Sequence, residues 1–219
     1  MLNKTHIRSM IAAAALAAGA DAGSAQAAEL LTNGSFEAPA IGGGNYTYPA
    51  GTLASWTYGG SALVGATGGN AWYGGAPPAG QDGDQFAALQ GTSTLSQTFT
   101  MVGSTLDLSW LDAGRPFFGC CNGDQTYKVT LNNAVLGTFS TTSGEAFASH
   151  SLVEHGLTNG GSYTLAFKGQ VAADDTSFID KVSATGAVPE PAAWALMILG
   201  FGGVGAALRS KRRALAAAI

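Results

Sequence analysis

Leu106-Asp107-Leu108-Ser109-Trp110 alternates large apolar residues with polar ones, and Tyr127-Lys128-Val129-Thr130-Leu131 and Tyr163-Thr164-Leu165-Ala166-Phe167 repeat the pattern. A period of two is the mark of a strand with one face buried. Working outward from these three runs, further strands are expected near 30–32, 61–64, 86–89, 94–101, 135–139, 146–153 and 178–183. Turn formers separate them: Gly42-Gly43-Gly44, Gly80-Gln81-Asp82-Gly83, Asn122-Gly123 and Asn159-Gly160-Gly161. Asn132-Asn133, between two strand runs, reads as a tight hairpin. No stretch of the middle region sustains a helical period. About ten strands without intervening helices must cover their apolar faces against each other, which predicts an all-β fold, a single jelly-roll β-sandwich. Trp56 and Trp110 are expected in its core.

The two ends read differently. Lys4 and Arg8 precede an apolar run from Met10 to Ala20, followed by Ala25-Gln26-Ala27. A basic front, a short apolar core and a small-residue exit make residues 1–27 a secretory signal peptide. At the other end Pro189-Glu190-Pro191 precedes residues 192–208, which carry no charge, and then Arg209-Ser210-Lys211-Arg212-Arg213. At about 1.5 Å per residue that run spans roughly 25 Å as a helix, which flanking Trp194 and snorkelling Arg and Lys heads extend toward the thickness of a membrane. The reading is a C-terminal transmembrane helix with a cytoplasmic basic tail, and segments 1–27, 28–187 and 188–219. The middle segment therefore faces the oxidising, non-cytoplasmic side.

The tail resembles a known class. Pro189-Glu190-Pro191-Ala192-Ala193-Trp194-Ala195, the Gly-rich span behind it and the Arg-rich end are similar, in order, to the PEP-CTERM sorting signal of Gram-negative bacteria. The resemblance implies an exosortase-type membrane protease as partner, transient anchoring in the inner membrane, and delivery to the cell surface or exopolysaccharide matrix. Sorting residues carried over are Pro189, Glu190, Pro191, Trp194 and Ala195. Ala214 to Ile219 extend beyond the point where most such signals stop.

Only 11% of the 219 residues are charged. Between the two signals four basic residues (Arg115, Lys128, Lys168, Lys181) stand against twelve acidic ones, a balance of about −8 that disfavours nucleic acid as a partner. Such a surface suits a module that binds cations or neutral sugars. Leu30-Leu31-Thr32-Asn33-Gly34-Ser35-Phe36-Glu37 near the start and Asp175-Thr176-Ser177-Phe178-Ile179-Asp180-Lys181-Val182 near the end resemble the galactose-binding-like jelly rolls, which include carbohydrate-binding modules. That resemblance implies a structural Ca²⁺ held by Glu37 and Asp180. The residues themselves give a separate reason. Strict alternation puts Asp180 with Phe178 and Val182, aiming a carboxylate at the core, and a hard cation with 6–8 oxygen ligands would resolve the cost. The alternative is a bulge that rotates Asp180 outward while Glu37 caps a turn.

Sugar contact on such sandwiches uses aromatic platforms. Tyr46, Tyr48, Trp72, Tyr73, Phe117 and Phe118 lie beside Gly- and Pro-rich stretches, and Trp72, Tyr73, Phe117 and Phe118 are the leading candidates for contact with extracellular polysaccharide. Cys120-Cys121, adjacent and in an oxidising compartment, suit a vicinal disulfide that stiffens a loop. His150 and His155 fall on opposite strand faces and share no metal. With no G-x-S-x-G, HExxH or nucleotide loop in the sequence, an enzyme such as a glycoside hydrolase ranks below a non-catalytic surface protein, and a purely structural or adhesive matrix component stands as its alternative. Thr92-Ser93-Thr94 and Thr98-Phe99-Thr100 are too short for the flat Thr array that ice binding needs.

Overall fold

A computed structural model describes residues 27–66, 78–116, 123–187, 198–203, 205 and 209. Residues 27–188 form one compact unit, and 1–26 with 189–219 fall in another. The strands of the first are β1 (Ala28–Glu29), β2 (Tyr46–Thr47), β3 (Gly51–Leu53), β4 (Trp56–Gly59), β5 (Ala62–Ala66), β6 (Gln85–Gln90), β7 (Thr94–Thr100), β8 (Thr105–Gly114), β9 (Gln125–Leu131), β10 (Ala134–Thr141), β11 (Ala148–His155), β12 (Ser162–Gly169) and β13 (Thr176–Ala187). They make two antiparallel sheets. One runs β11-β8-β13-β6-β5-β2, with β1 pairing β13; the other runs β10-β9-β12-β7-β4-β3. From β6 onward the chain crosses repeatedly from sheet to sheet, as in a jelly roll.

The alternating runs do what their period dictates. Leu106, Leu108 and Trp110 from one sheet meet Tyr127, Val129, Leu131, Leu165 and Phe167 from the other, and Trp56 joins them in the core. Asn132 and Asn133 both adopt positive φ (48° and 67°) between paired Leu131 and Ala134, the backbone that a two-residue hairpin needs to follow strand twist. Strand was expected at 30–32, but pairing there is confined to Ala28 and Glu29, against Gly186 and Thr185. The short edge strands β2 and β3 lack a readable period.

Around β5 and β6 and the adjoining ends of β8 and β13, sheet one is covered on both faces. Leu63, Phe86, Ala88, Ala113 and Phe178 form a second apolar cluster on its outer side, against which Phe147 packs. The amide of Phe147 donates to Ala79 O at 2.9 Å, tying the segment before β11 to the loop that leads into β6.

In the C-terminal unit, residues 198–203 are helical, and Ile198, Leu199 and Phe201 are exposed. Among the described residues no helix is long and apolar enough to cross a membrane; most of the span read at 192–208 lies outside them.

Candidate functional site

The site begins with a bulge. On β13, Asp180 pairs with Leu111 and Ser183 with Ser109, so three steps on one strand oppose two on its neighbour. Lys181 takes up the extra residue at φ 46°. The face of the strand changes there. Ile179, Val182 and Ala184 point into the main core, whereas Phe178 and Asp180 share the outer side. The sequence places Phe178, Asp180 and Val182 on one face; the bulge separates Val182 from the other two. Asp180 is nevertheless fully buried, because the loop before β6 closes over it.

Glu37 reaches the same loop from the other terminus. Asn33 and Phe36 have positive φ, and Phe36 packs on Trp56 with ring centroids 5.2 Å apart. Trp56 in turn donates from Nε1 to Asn33 O at 3.0 Å, and Val182 N donates to Gly34 O at 2.9 Å. A Cβ on Gly34 would sit 1.8 Å from Val182 O, so only glycine lets the turn lie against the bulge. Anchored in this way, Glu37 accepts through Oε1 from the amides of Asp84 and Gln85, both at 2.8 Å. Asp180 accepts through Oδ2 from Asp82 N at 2.8 Å and through Oδ1 from Lys181 N at 2.7 Å. Two residues 143 positions apart in sequence thus clamp one loop, residues 82–85.

The electrostatics follow from crowding. Burial pushes the Asp180 carboxyl up to about 7, with the charges of Asp82 and Glu37 adding to it and the two amides opposing it. Asp82 is held below its usual range, chiefly by the hydroxyl of Ser35 at 2.8 Å and then by Lys181, whose Nζ lies 3.2 Å away. Gln85, almost fully buried, stitches the floor by accepting from Ile41 N at 2.6 Å and donating to Phe36 O and Pro39 O.

Several carboxylates with one exposed lysine favour a cation. The ligand set is incomplete: among the described residues no group of three or more His, Cys, Asp or Glu side chains stands close enough to hold a metal ion. Ca²⁺ here would use Glu37, whose Oε2 has no hydrogen bond among the described residues, and Asp180, and would draw its remaining oxygens from loop carbonyls and water. The structure has the bulge alternative, with Asp180 turned to the outer side of the sheet and Glu37 capping a loop, except that the loop keeps Asp180 buried.

Of the aromatic candidates, Trp72, Tyr73, Phe117 and Phe118 lie outside the described residues, as do Cys120, Cys121 and the sorting residues Pro189, Glu190, Pro191, Trp194 and Ala195. Tyr46 and Tyr48 are each 45% exposed and meet edge to face at 6.0 Å. His150 and His155 do fall on opposite faces. His150 stacks on Trp110 and contacts Asp112 Oδ1 through Nε2 at 2.8 Å. Asp112 also accepts from Tyr127 Oη at 2.6 Å, which itself accepts from Trp110 Nε1 at 2.8 Å. This buried network escapes a motif search, but its signal is visible: Asp112 continues the series Leu106, Leu108, Trp110 on the inward face.

The strand carrying Asp180 ends at Ala187, where the proline-flanked glutamate, apolar span and basic tail begin. Residues 187–213 match the PEP-CTERM protein-sorting motif. PEP-CTERM thus describes the end of this chain, and the sandwich lies immediately upstream of it. No curated protein matches the chain. Among solved structures the chain is similar to a carbohydrate-binding module, CBM36, in complex with calcium and xylotriose, at 11% identity over 73% of this chain and 98% of that one (TM-score 0.37). It is also similar to a native family 35 carbohydrate-binding module from Clostridium thermocellum, at 15% identity over 61% and 100% (TM-score 0.39). A third is TmCBM61 in complex with β-1,4-galactotriose, at 15% identity over 72% and 97% (TM-score 0.42).

Proposed function

We propose that this chain is an exported, non-catalytic protein that an exosortase-type membrane protease recognises through Pro189, Glu190, Pro191, Trp194 and Ala195. It is anchored transiently in the inner membrane by residues 192–208 and passes to the cell surface or exopolysaccharide matrix. There the sandwich makes weak contact with carbohydrate and is stabilised by Ca²⁺ at Glu37 and Asp180. The observation that carries the reading is the PEP-CTERM motif at 187–213, joined to an acidic, charge-poor sandwich. A purely structural matrix role is the second reading. What favours it is that Glu37 and Asp180 already pin their loop through backbone amides, a task that requires no ligand.

Sorting is tested by expressing the chain, tagged between residues 27 and 28, in a Gram-negative host with and without an exosortase. The expected outcome is a shortened form outside the inner membrane only when the exosortase is present, and retention of the full-length form when Pro189, Glu190 and Pro191 are all replaced by Ala. A chain that stays cytoplasmic, or is released equally without the protease, overturns the proposal.

A further inference from the structure

Opposite the carboxylate cluster, at the far end of β6, three connections pass between the sheets side by side: β4 to β5 through Gly60 and Ser61, β6 to β7 through Gly91 to Ser93, and β12 to β13 through residues 170–175. Five residues of strand, roughly 16 Å, separate the two ends. The three connections enclose an open cleft of about 370 Å³, within the ~300–1,000 Å³ range of ligand sites.

This cleft is a constructed feature. Gln125, wholly buried, donates through Nε2 to Gly91 O at 2.9 Å and to Asp175 O at 2.8 Å, and accepts from Val171 N at 3.0 Å. Gly91 N donates to Asp175 O, and Gly169 N to Ser93 O, each at 2.9 Å. Gly91, at φ 62°, approaches so closely that a Cβ there would stand 3.3 Å from Ala173 O. One side chain and a few amides therefore hold two loops in fixed relation, the preorganisation that lowers the cost of binding.

The lining selects a class of ligand. Asp174 Oδ1 accepts from Gln90 Nε2 and from the buried guanidinium of Arg115 at 3.3 Å, so its charge is countered from beneath. Its Oδ2 has no hydrogen bond among the described residues. Gln90 Oε1 is taken by Tyr48 Oη at 2.8 Å, which sets that exposed tyrosine beside the cleft. Ser61 and Thr92 present hydroxyls, and Ser93 Oγ, buried just beneath, has no partner among the described residues. A single countered carboxylate is too few ligands for a metal ion, and among the described residues the cation at the cleft, Arg115, faces Asp174, which disfavours an anion. Small polar walls do not suit an apolar molecule. What remains is a neutral molecule rich in hydroxyls.

We propose that this cleft, formed by Ser61, Gln90, Thr92 and Asp174, is a saccharide subsite that takes a neutral sugar. Asp174 Oδ2 accepts sugar hydroxyls, Thr92 and Ser61 supply further hydrogen bonds, and Tyr48 flanks the ring. The proposal rests on the carbohydrate-contact reading above and gives it a location among the described residues.

The test is calorimetric titration of the full-length chain in detergent with neutral trisaccharides of glucose, mannose, galactose and xylose, and with a galacturonate trisaccharide as charged comparator. Saturable binding of at least one neutral trisaccharide is expected, weakened tenfold or more by D174N. Because D174N also disturbs Arg115, Ala172→Trp is the second variant; residue 172 is exposed at the cleft, and filling it should abolish binding with an unchanged Tm. Neutral-sugar binding that A172W leaves intact overturns the cleft while the carbohydrate reading stands. No binding of any neutral trisaccharide overturns both, and tighter binding of the galacturonate overturns the neutral class.

Discussion

Asp112 and Asp180 are buried carboxylates on adjacent strands, one rung apart in the β8–β13 ladder, and they face opposite sides of the same sheet. Asp112 points into the main core and is met by Tyr127 and His150, side chains held on strands β9 and β11. Asp180 points outward and is met by the amides of Asp82 and Lys181, the first on a loop and the second on a bulge. Strands fix the partners of Asp112, whose network ties the two sheets together. Asp180 instead takes its hydrogen bonds from backbone amides and lies beside the charges of Asp82 and Glu37, a crowding that a cation would relieve.

The comparison breaks most forcefully at Asp112. Replacing it with Ala strips Tyr127 and His150 of a shared partner in the core and should cost about 1–3 kcal/mol for each group left unpaired, read as a drop in the denaturation midpoint without a change in slope. Gly34→Ala attacks the other side by pushing the 33–37 turn off the bulge. A loss of about 1–3 kcal/mol is expected, as for other overpacked sites, with proteolysis between residues 33 and 37 as the local readout.

pH sharpens the contrast. An unfolded aspartate titrates near 3.9, whereas Asp180 keeps its proton to about 7 in the metal-free fold. Between those values the folded state binds a proton that the unfolded state lacks, so stability should fall as pH rises from about 4 to about 7 and level off above. Burial raises Asp112 as well, in the same sense. In Asp180→Asn most of this decline should disappear from melting curves recorded across that range with chelator present. Ca²⁺ should stabilise the parent above pH 7 by about 2.7 kcal/mol at a hundred times Kd, read as a higher melting temperature, and should do nothing for Glu37→Ala or Asp180→Ala.

The smallest effect belongs to Lys181. Its ion pair with Asp82 is exposed on both sides and worth at most about 1 kcal/mol, while its left-handed backbone costs roughly 1 kcal/mol that glycine would avoid. Lys181→Gly should therefore leave stability unchanged within about 0.5 kcal/mol, and Lys181→Ala should lower it slightly.

How much of this was legible depended on distance along the chain. Period-two runs announced the strands, and Asn132-Asn133 announced their hairpin, because neighbouring residues settle both. Asp180 was legible as a conflict between alternation and charge, although its resolution was not, since a bulge depends on how β8 pairs opposite it. Asp112 carried an equally plain signal in its register with Trp110. The saccharide cleft gave none: its walls come from near residues 60, 91 and 172, and the side chain that joins two of them, Gln125, resembles any polar residue at a strand start.

β13 is the last strand of the sandwich, yet it lies inside its sheet, between β8 and β6, and also receives β1 from the opposite terminus. Its final residue, Ala187, is also the first of the sorting match. During export of such a chain, most of the sandwich must wait with an open slot in one sheet until its closing strand has crossed. The strand that fills the slot draws the sorting signal directly behind it, so completion of the fold and arrival of the sorting motif become consecutive moments of one translocation. A variant that delays closure of the sheet would then present the protease with an unfinished domain.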